Sequence, residues 1–378
     1  MSLQLTRDGI LSVLQSMLEA HVGLGAAMGG DRLPLSPPPA LACSAAEFFD
    51  LPESLLQTAR PDLAAWAEAI AANLQGRPEK LFFRTSGSTD RPVRVPQSYD
   101  LLEQEILAQA KLYKNRTRVF SVVPRHHIYG FLFGVMLPLA LSAPTRYAPP
   151  LPLPTFADNL ASGDLVIGFP LFWSALAEIK PLFPDGVHCV TSSGPCPADT
   201  IRTLQACGVE RFYEIFGSSE TGGLGWRTSP SNAYLLFEYW RSTPEQDGVT
   251  RLMPDQKERF YPLQDAVNWT EPGRFKPMRR KDKAVQVAGV NVYPEKVAQA
   301  ILEHPWVRQC TVRLDANHPG GRLKAFLVPE LQAPARQELI ASLRAFLADR
   351  LTAPETPRRL TLGDSLPINA MGKLCDWD

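Results

Sequence analysis

Apolar and polar residues alternate along the chain at two spacings, one typical of helices and one typical of strands. Three segments near the N-terminus carry apolar residues at the helical spacing. These predicted helices are Thr6–Ala27, Leu55–Leu74 and Pro96–Leu112. A proline-rich stretch from Pro34 to Cys43 is predicted to be a rigid connector. The longest apolar run, Ile128–Ala143, is broken by glycines and a proline and is short for a membrane span, so it is predicted to be a buried helix.

Five short apolar runs bounded by turn residues predict buried strands, and helical segments lie between most of them. These predicted strands are Leu81–Phe83, Arg118–Val123, Leu165–Phe169, His188–Ser192 and Arg211–Ile215. Strands that alternate with helices are typical of a parallel sheet. Three further segments alternate at the strand spacing and predict short antiparallel strands. They are Ala233–Tyr239, Val249–Met253 and Glu258–Tyr261.

The C-terminal part of the chain has a pattern of its own. Valines on either side of Gly289 predict a β-hairpin, and Pro294 is a favourable first residue for a helix predicted to reach His304. The following segments predict strand, strand, helix and strand, in that order. They are Val307–Leu314, Arg322–Pro329, Arg336–Arg350 and Arg359–Thr361. This pattern predicts a compact α+β unit of domain size.

Composition and charge exclude several classes of partner. Lys+Arg and Asp+Glu both number 39, so the formal net charge is zero and nothing indicates a nucleic acid or a polybasic membrane-binding surface. The six cysteines form no C-x-x-C pair, which argues against a zinc site or a disulfide framework. The N-terminus lacks the layout of a secretory signal. A cytoplasmic protein without a membrane span is therefore expected.

The segment directly after the first predicted strand is a candidate for binding chemistry. It consists of Thr85, Ser86, Gly87, Ser88 and Thr89. A loop of such small residues can turn backbone N–H groups and hydroxyls toward one point, an arrangement that suits a polyphosphate. It is not a Walker loop, because no Gly-Lys-Ser/Thr follows at the required spacing. Taken alone, the segment is more simply explained as a flexible connector, because small polar residues are common in turns.

Further motifs follow this loop in a fixed order. They are Phe216-Gly217-Ser218-Ser219-Glu220, then Arg280-Lys281-Asp282, then Gly372-Lys373 near the chain end. Each motif is weak alone. In this order and at this spacing they resemble the motifs of the acyl-adenylate-forming enzymes, which include acyl- and aryl-CoA ligases, free-standing adenylation domains and luciferases. The resemblance runs from about Leu81 to the C-terminus, and the chain is identified as a short member of this superfamily.

This resemblance implies an α/β fold with a large N-terminal domain of parallel-rich sheets and helices, a small barrel-like part, and a small mobile α+β C-terminal domain. The AMP-binding domain is expected to cover residues 1–281 and the lid domain residues 282–378, with Asp282 as the hinge. The loop is preceded by 84 residues, fewer than is common in relatives. The N-terminal domain is therefore expected to be reduced at its N-terminus.

The resemblance also implies a site for ATP or AMP. Its expected residues are Thr85, Ser86, Gly87, Ser88, Thr89, Gly194, Pro195, Glu214, Phe216, Gly217, Ser219, Asp265 and Arg280. The hydroxyl of Ser219 is expected at the α-phosphate and the carboxylate of Asp265 at the ribose. Glu220 is expected to bind Mg²⁺, a hard cation that prefers carboxylate and phosphate oxygens. Three of these residues also have a purely structural interpretation. Gly194 could form a plain turn, Asp265 could cap a turn, and Glu220 could lie in a polar surface loop.

The acid is expected to bind near His127, which lies in a Pro–x–aromatic–His–x–x–Gly segment of the family that ends at Gly130. Gly130, Ser192 and Gly222 are the other expected substrate-binding residues. Lys373, Glu220 and His127 are the expected catalytic residues, and Lys373 would stabilise negative charge in the transition state. The simpler interpretations are that His127 is a structural histidine and that Lys373 is a solvated lysine.

The implied reaction is ATP-dependent activation of a small carboxylic acid through acyl-AMP, followed by transfer to a thiol. The acceptor is expected to be CoA or the phosphopantetheine of a separate acyl carrier protein. Segments expected to line the acid pocket are rich in aromatic residues, which favours an aryl acid such as a hydroxybenzoate or a cinnamate. They are His127–Phe133, Phe169–Trp173, Ser192-Ser193 and Gly222–Trp226.

Two alternatives remain: a medium-chain acyl ligase, and a non-catalytic nucleotide- or acyl-binding protein derived from such an enzyme. The second is motivated by departures from the family pattern, which raise the question of whether the altered loop slows turnover of ATP. These departures are Asp90, Val93, Arg279 and Gln286.

Overall fold

The computed structural model describes residues 2–22, 37–85, 93–315, 321–368 and 374–377. Its α-helices are α1 Arg7–Val22, α2 Pro39–Phe49, α3 Ser54–Thr58, α4 Leu63–Leu74, α5 Tyr99–Ala110, α6 Ile128–Phe131, α7 Leu137–Leu141, α8 Pro170–Ile179, α9 Ala198–Ala206, α10 Pro294–Leu302 and α11 Arg336–Ala348. A π-helical segment joins α6 to α7, and short 3₁₀ helices occur elsewhere. These are Leu132–Met136 (π) and Lys111–Tyr113, Pro154–Asn159 and Pro244–Gln246 (3₁₀). None of the described helices combines the length and apolar character that crossing a bilayer requires.

Most of the strands belong to one large sheet. The strands are β1 Lys80–Thr85, β2 Val93–Ser98, β3 Arg118–Ser121, β4 Thr145–Tyr147, β5 Asp164–Gly168, β6 His188–Thr191, β7 Arg211–Ser218, β8 Gly222–Arg227, β9 Tyr234–Leu236, β10 Trp240–Thr243, β11 Gly248–Leu252, β12 Glu258–Pro262, β13 Asp265–Glu271, β14 Arg274–Arg280, β15 Val285–Val287, β16 Val290–Val292, β17 Val307–Asp315, β18 Arg322–Pro329 and β19 Arg359–Leu362. The large sheet has the order β13-β14-β9-β8-β7-β6-β5-β3-β4. Smaller sheets are β1-β2, β10-β11-β12, β15-β16 and β17-β18-β19.

Parallel pairing dominates the centre of the large sheet. Strands β4, β3, β5, β6 and β7 are parallel to one another. Strand β8, on the other side of β7, is antiparallel to it. Every residue of β5 and β6 is buried, as expected for parallel strands covered on both faces. Neighbouring residues of β5 face different cores: Leu165 and Ile167 belong to one, and Val166 packs with Trp173 of α8 in the other. The predicted α/β fold class is confirmed.

The chain divides into two compact units. The first contains the described residues up to 263 together with 267–277, and the second contains 264–266 and the described residues from 278 onward. In the second unit, α10 and α11 pack with the three-stranded sheet β17-β18-β19 around a core that includes Val297, Ile301, Leu343 and Leu347. This is the α+β arrangement that the sequence pattern predicts. A functional domain boundary at Asp282 stays a prediction.

Two predictions in the N-terminal region are wrong. The segment Pro34–Cys43, predicted to be a connector, is helical from Pro39 onward. Proline is tolerated in the first turn of a helix, because the N–H that it lacks would have no partner there. The single helix predicted at Leu55–Leu74 is two helices, α3 and α4. Pro61 lies between them and cannot continue a helix, and Asp62 caps the second by accepting a hydrogen bond from the Ala65 N–H at 2.8 Å.

The helix predicted at Pro96–Leu112 begins only at Tyr99. Residues 93–98 form β2, which pairs antiparallel to β1, with Leu81 opposite Gln97 and Phe83 opposite Val95. The candidate phosphate loop therefore connects two strands of a hairpin instead of a strand and a helix. Pro96 is tolerated within β2 because this sheet has only two strands, so each is an edge strand that needs hydrogen bonds on one side only.

Candidate active site

The parallel strands bring four loop segments to one edge of the large sheet. Since β3, β5, β6 and β7 run in the same direction, their carboxyl ends lie side by side. The segments that follow these ends carry His127, Phe169, Ser192 to Pro195, and Ser219 with Glu220. In open α/β sheets, ligands bind at this edge. The structure thus brings together most of the first-unit residues that the motifs predict.

A tight hairpin between β7 and β8 presents the predicted Mg²⁺ ligand. Gly217 lies opposite Gly223, and a Cβ atom at Gly217 would stand 2.2 Å from the Gly222 carbonyl oxygen, so glycine is required there. The Ser218 hydroxyl accepts hydrogen bonds from the backbone N–H groups of Glu220 (3.3 Å) and Thr221 (3.2 Å). The turn is therefore closed by its own hydrogen bonds.

The carboxylate of Glu220 is exposed at the tip of this turn. Throughout the described part of the chain, no side chain or backbone group forms an ion pair or hydrogen bond with it. Carboxylates elsewhere in the large sheet are paired: Glu214 with Arg227, and Asp164 with Arg118. Glu220 is thus available to bind a ligand from outside the chain.

His127 lies at the beginning of α6, in an extended conformation before the first helical residue. The motif requires a glycine at position 130, because a Cβ atom there would stand 1.9 Å from the carbonyl oxygen of Pro124, the first residue of the motif. His127 is solvent-accessible at the wall of a cleft, yet protein atoms crowd around it, and this desolvation lowers the pKa of its imidazole. Burial lowers the pKa of the adjacent His126 to about 3. Both rings are therefore neutral near pH 7.

A cavity of about 320 Å³ opens beside these histidines. Its lining includes Phe48, Phe82, Arg84, Arg94, His126 and His127. Of the described residues in the segments predicted to line the acid pocket, only His127 borders this cavity. The cavity is thus distinct in its lining from the predicted pocket.

The turn after β6 carries three predicted residues. The Ser192 hydroxyl donates to the Ile215 carbonyl oxygen at 2.9 Å, so its described role is to join two neighbouring strands. Ser193 takes a left-handed backbone conformation, with φ of +70°, and leads into Gly194 and Pro195. These last residues lie at the carboxyl edge, and their predicted contact with adenine stays a prediction.

Glu214 is buried in the middle of β7, opposite Thr191 at the carboxyl end of β6. One carboxylate oxygen, Oε2, accepts a hydrogen bond from Arg227 Nε at 2.7 Å. The other, Oε1, is buried without a partner among the described residues. Arg227 is itself held by the Pro230 carbonyl oxygen and stacks over the Tyr234 ring. Arg227 thus holds the Glu214 carboxylate in place, and Oε1 remains as a buried hydrogen-bond acceptor.

Other predicted residues lie in the second unit. Arg280 donates two hydrogen bonds to Asp282, at 2.9 and 2.7 Å, and Tyr293 donates a third at 3.0 Å. The Arg280 guanidinium lowers the pKa of the Asp282 carboxyl to about 2. Asp265 opens β13 and contributes to raising the pKa of Arg280. The hinge and nucleotide-binding roles of these residues stay predictions.

Several predicted residues cannot be placed. Ser86, Gly87, Ser88, Thr89 and Lys373 lie outside the described residues. Thr85 ends β1, where its backbone pairs with that of Val93.

Sequence reasoning missed two charged residues beneath the β7–β8 turn. Glu105 of α5 and Arg251 of β11 are each 1% exposed. Burial raises the pKa of Glu105 to about 7, although the positive charge of Arg251 opposes the shift. A signal existed: Glu105 follows Leu101 by one helical turn on an apolar face, and Arg251 lies two residues from buried Val249 in a strand. The pattern does not show that the two residues meet.

Comparison with known proteins identifies the family. Residues 60–255 match the AMP-binding enzyme family, and residues 296–373 match the AMP-binding enzyme C-terminal domain. A 4-coumarate–CoA ligase of Cereibacter sphaeroides is 36% identical over 89% of this chain and 81% of its own length. A 4-coumarate–CoA ligase of Halorhodospira halophila is 33% identical over 98% of this chain and 99% of its own length.

A solved structure supports the fold independently of close sequence similarity. The amide bond synthetase from Marinactinospora thermotolerans superimposes with a TM-score of 0.64 at 16% identity, covering 97% of this chain and 92% of its own. At that identity the likeness concerns the fold alone. Together with the family match over more than half of the sequence, these similarities confirm the family that the motif order predicts: the chain belongs to the AMP-binding enzymes.

Proposed function

We propose that this protein activates a carboxylic acid with ATP and transfers the acyl group to a thiol. Relatives that match nearly the whole chain at 33–36% identity are named 4-coumarate–CoA ligases, which favours an aryl acid as substrate and CoA as acceptor. The phosphopantetheine thiol of a separate acyl carrier protein is the other acceptor with the required chemistry.

The exposed Glu220 carboxylate carries this proposal. It stands without a partner among the described residues, on a turn closed by Ser218, at the sheet edge where α/β enzymes bind ligands. Its oxygens suit Mg²⁺, which takes oxygen ligands and is commonly bound by one or two carboxylates together with phosphates and water. When bound, Mg²⁺ supplies positive charge that neutralises the phosphate oxygens.

The chain's own residues orient and neutralise the reactants. An oxygen of the substrate carboxylate attacks the α-phosphorus of ATP, the bond between the α-phosphorus and the α,β-bridging oxygen breaks, and pyrophosphate leaves with that oxygen. The Ser219 hydroxyl donates to the α-phosphate. His127, neutral near pH 7, donates its ring N–H to the acid, and Lys373 places an ammonium near both anions.

The second half-reaction forms the thioester. The thiol loses its proton, its sulfur attacks the carbonyl carbon of the acyl-AMP, and AMP leaves with the bonding electrons. We propose that Asp282 is the hinge that lets Lys373 withdraw between the two half-reactions. The Arg280–Asp282 pair would stabilise one backbone conformation of that hinge.

The nucleotide has complementary groups in the chain. Glu214 Oε1 is a buried acceptor without a described partner and suits the exocyclic amine of adenine. Gly194, Pro195, Phe216 and Gly217 are the other residues proposed to bind the nucleotide. The carboxylate of Asp265 suits the ribose hydroxyls and the guanidinium of Arg280 suits a phosphate or the ribose. The segment Thr85 to Thr89 is proposed to hold the β- and γ-phosphates.

Aromatic side chains at the sheet edge favour a flat acid. Tyr129, Phe169, Phe216 and Trp226 are half-buried and pack against the main core. Aromatic rings bury a planar aryl group well, because stacked and edge-to-face contacts add to the area removed from water. Gly130, Ser192 and Gly222 are proposed to complete this pocket.

Mass spectrometry of single-turnover reactions tests the proposal. Protein, MgATP and a library of hydroxybenzoates, cinnamates and medium-chain acids are mixed without thiol, and acyl-AMP is measured. We expect acyl-AMP with aryl acids, and thioester once CoA is added. Acyl-AMP with medium-chain acids alone would favour the medium-chain ligase. ATP and acid binding by calorimetry without acyl-AMP from any acid would favour a non-catalytic binding protein and refute the proposal.

A further inference from the structure

The backbone of the turn that carries Glu220 is held from behind by side chains of other elements. Gln97 of β2 donates its side-chain amide to the carbonyl oxygens of Ser219 and, at 3.3 Å, of Glu220. Arg251 of β11 donates to the Thr221 carbonyl oxygen at 3.4 Å. These bonds use the backbone groups of the turn and leave the Glu220 carboxylate uninvolved.

Glu105 of α5 supports the next residues of the turn. Its Oε1 accepts hydrogen bonds from the Gly223 N–H at 2.7 Å and from Gln109 Nε2 at 2.9 Å. A Cβ atom at Gly222 would stand 2.1 Å from Glu105 Oε2, and one at Gly223 would stand 2.8 Å from Oε1. Gly222 also has a φ of +70°, which side chains disfavour. The two glycines are thus required by the carboxylate that packs against them.

Arg251 is fixed as firmly as Glu105. Besides the turn, its guanidinium donates to the Leu101 carbonyl oxygen at 2.7 Å and to Gln104 Oε1 at 3.0 Å. It also lies over the rings of Tyr239 and Trp240. Leu101, Gln104 and Glu105 share helix α5, so this arginine joins the helix to the turn. Buried hydrogen bonds of this kind hold the groups they join in one orientation.

We propose that Gln97, Glu105 and Arg251 are positioning residues that fix the backbone of residues 219–223 and so aim Ser219 and Glu220 at MgATP. This inference rests on the proposed function. None of the three side chains touches the reacting groups. They act through the turn, because they hold its peptide groups in one orientation before any ligand binds, which lowers the reorganisation that binding requires.

Two variants with a matched control test this role. Glu105→Gln keeps the size of the side chain and removes its charge, and Gln97→Met removes an uncharged support of the same turn. Glu103→Gln is the control, because Glu103 lies on the same helix but pairs with Arg77 instead of the turn. Hydrogen–deuterium exchange of peptides covering residues 218–226 reports the order of the turn. We expect at least tenfold faster exchange there in Glu105→Gln and Gln97→Met, and less than twofold change in Glu103→Gln.

Kinetics then separate positioning from a purely structural effect. We expect Glu105→Gln and Gln97→Met to lower the rate of acyl-AMP formation at saturating substrates at least tenfold and to raise the Mg²⁺ concentration that gives half the maximal rate. Glu103→Gln is expected to stay within twofold of the wild type in both. Gln97→Met keeps the test decisive if Glu105→Gln does not fold.

The outcomes are distinguishable. A folded variant whose turn exchanges faster but whose rate and Mg²⁺ dependence equal those of an active wild type would overturn the positioning role alone. Unchanged exchange in both variants would overturn it as well. A wild type that forms no acyl-AMP with any acid would overturn the proposed function, and the positioning role with it.

Discussion

Replacing Glu105 by glutamine should change how the stability of the protein depends on pH. The carboxyl is 1% exposed, and its nearest positive charge is Arg251, while the neighbouring Tyr239 is uncharged near neutral pH. Desolvation is the largest cause of the shift that raises the pKa of this carboxyl from 4.5 to about 7. Glutamine has nearly the same shape and does not titrate, so the variant isolates this one ionisation.

The sign and size follow from linkage. Between pH 4.5 and 7 the native protein keeps a proton on Glu105 that the unfolded chain has lost, so stability falls as pH rises through this range. The contribution is fully present below pH 4.5 and is lost above the native pKa of about 7. At about 1.4 kcal/mol for each tenfold change in affinity for the proton, a pKa raised from 4.5 to about 7 contributes ~3.5 kcal/mol in full.

Urea denaturation at pH 5, 6, 7 and 8 measures this effect. Five of the seven tryptophans, at positions 66, 173, 226, 240 and 269, lie in the first unit, so their fluorescence reports mainly on the unit that contains Glu105. The free energy of unfolding of the wild type minus that of Glu105→Gln should fall by ~2.5 kcal/mol between pH 5 and 8. Contributions from other groups, such as His126 with its pKa of about 3, cancel in this difference. A difference that stays constant over this pH range would refute the reasoning.

Three further predictions concern other parts of the site. Glu220→Gln should lower the rate of acyl-AMP formation by roughly 10²-fold, because it removes the charge proposed to bind Mg²⁺; a rate within threefold of the wild type, measured at saturating MgATP, would contradict this. Gly130→Ala should destabilise the first unit by about 1–3 kcal/mol, because its Cβ would stand 1.9 Å from the Pro124 carbonyl oxygen; an unchanged melting temperature would show that the motif spacing has another cause. Lys324→Met should slow acyl-AMP formation at least fivefold yet spare thioester formation from added acyl-AMP. The reason is that the buried Lys324 binds the Trp377 carbonyl oxygen and Asp376, which follow Lys373 closely in the sequence. Equal loss of both half-reactions would refute this prediction.

Local patterns predict the centre of the sheet well. The apolar runs that become β5, β6 and β7 are short, bounded by turn residues and buried on both faces, and no other local structure suits them. The segments that follow them could be ordered along one edge because parallel strands share a direction. His127 and Glu220, which are far apart in sequence, were expected in one site because of the resemblance to the acyl-adenylate-forming enzymes.

Prolines near the N-terminus misled the prediction in a consistent way. Pro39 was assigned to a connector but occupies the first turn of α2, and Pro61 was placed inside a helix that it interrupts. Residues 96–98 were predicted to begin the helix Pro96–Leu112, but they belong to β2. Their strand pairing with β1 depends on a contact across the intervening loop, which a local pattern does not contain.

The side chains that support the β7–β8 turn are the part of the site that the sequence could not predict. Glu105 and Arg251 each occupy inward-facing positions that a hydrophobic residue would usually fill. Periodicity can mark both as unusual, but it cannot show that one accepts from Gly223 and the other donates to Thr221. Such contacts join a helix, a strand and a turn that are distant in sequence, so they require the folded chain.

ATP–pyrophosphate exchange tests the central claim most directly, because it reports reversible acyl-AMP formation without a thiol. Radiolabelled pyrophosphate, ATP and Mg²⁺ are incubated with the wild type or with Glu220→Ala, with and without each aryl acid. We predict label in ATP only when protein, Mg²⁺ and an aryl acid are all present, and at least a hundredfold less with Glu220→Ala. Exchange by Glu220→Ala at the wild-type rate, or none by folded wild type with any acid, would contradict the account.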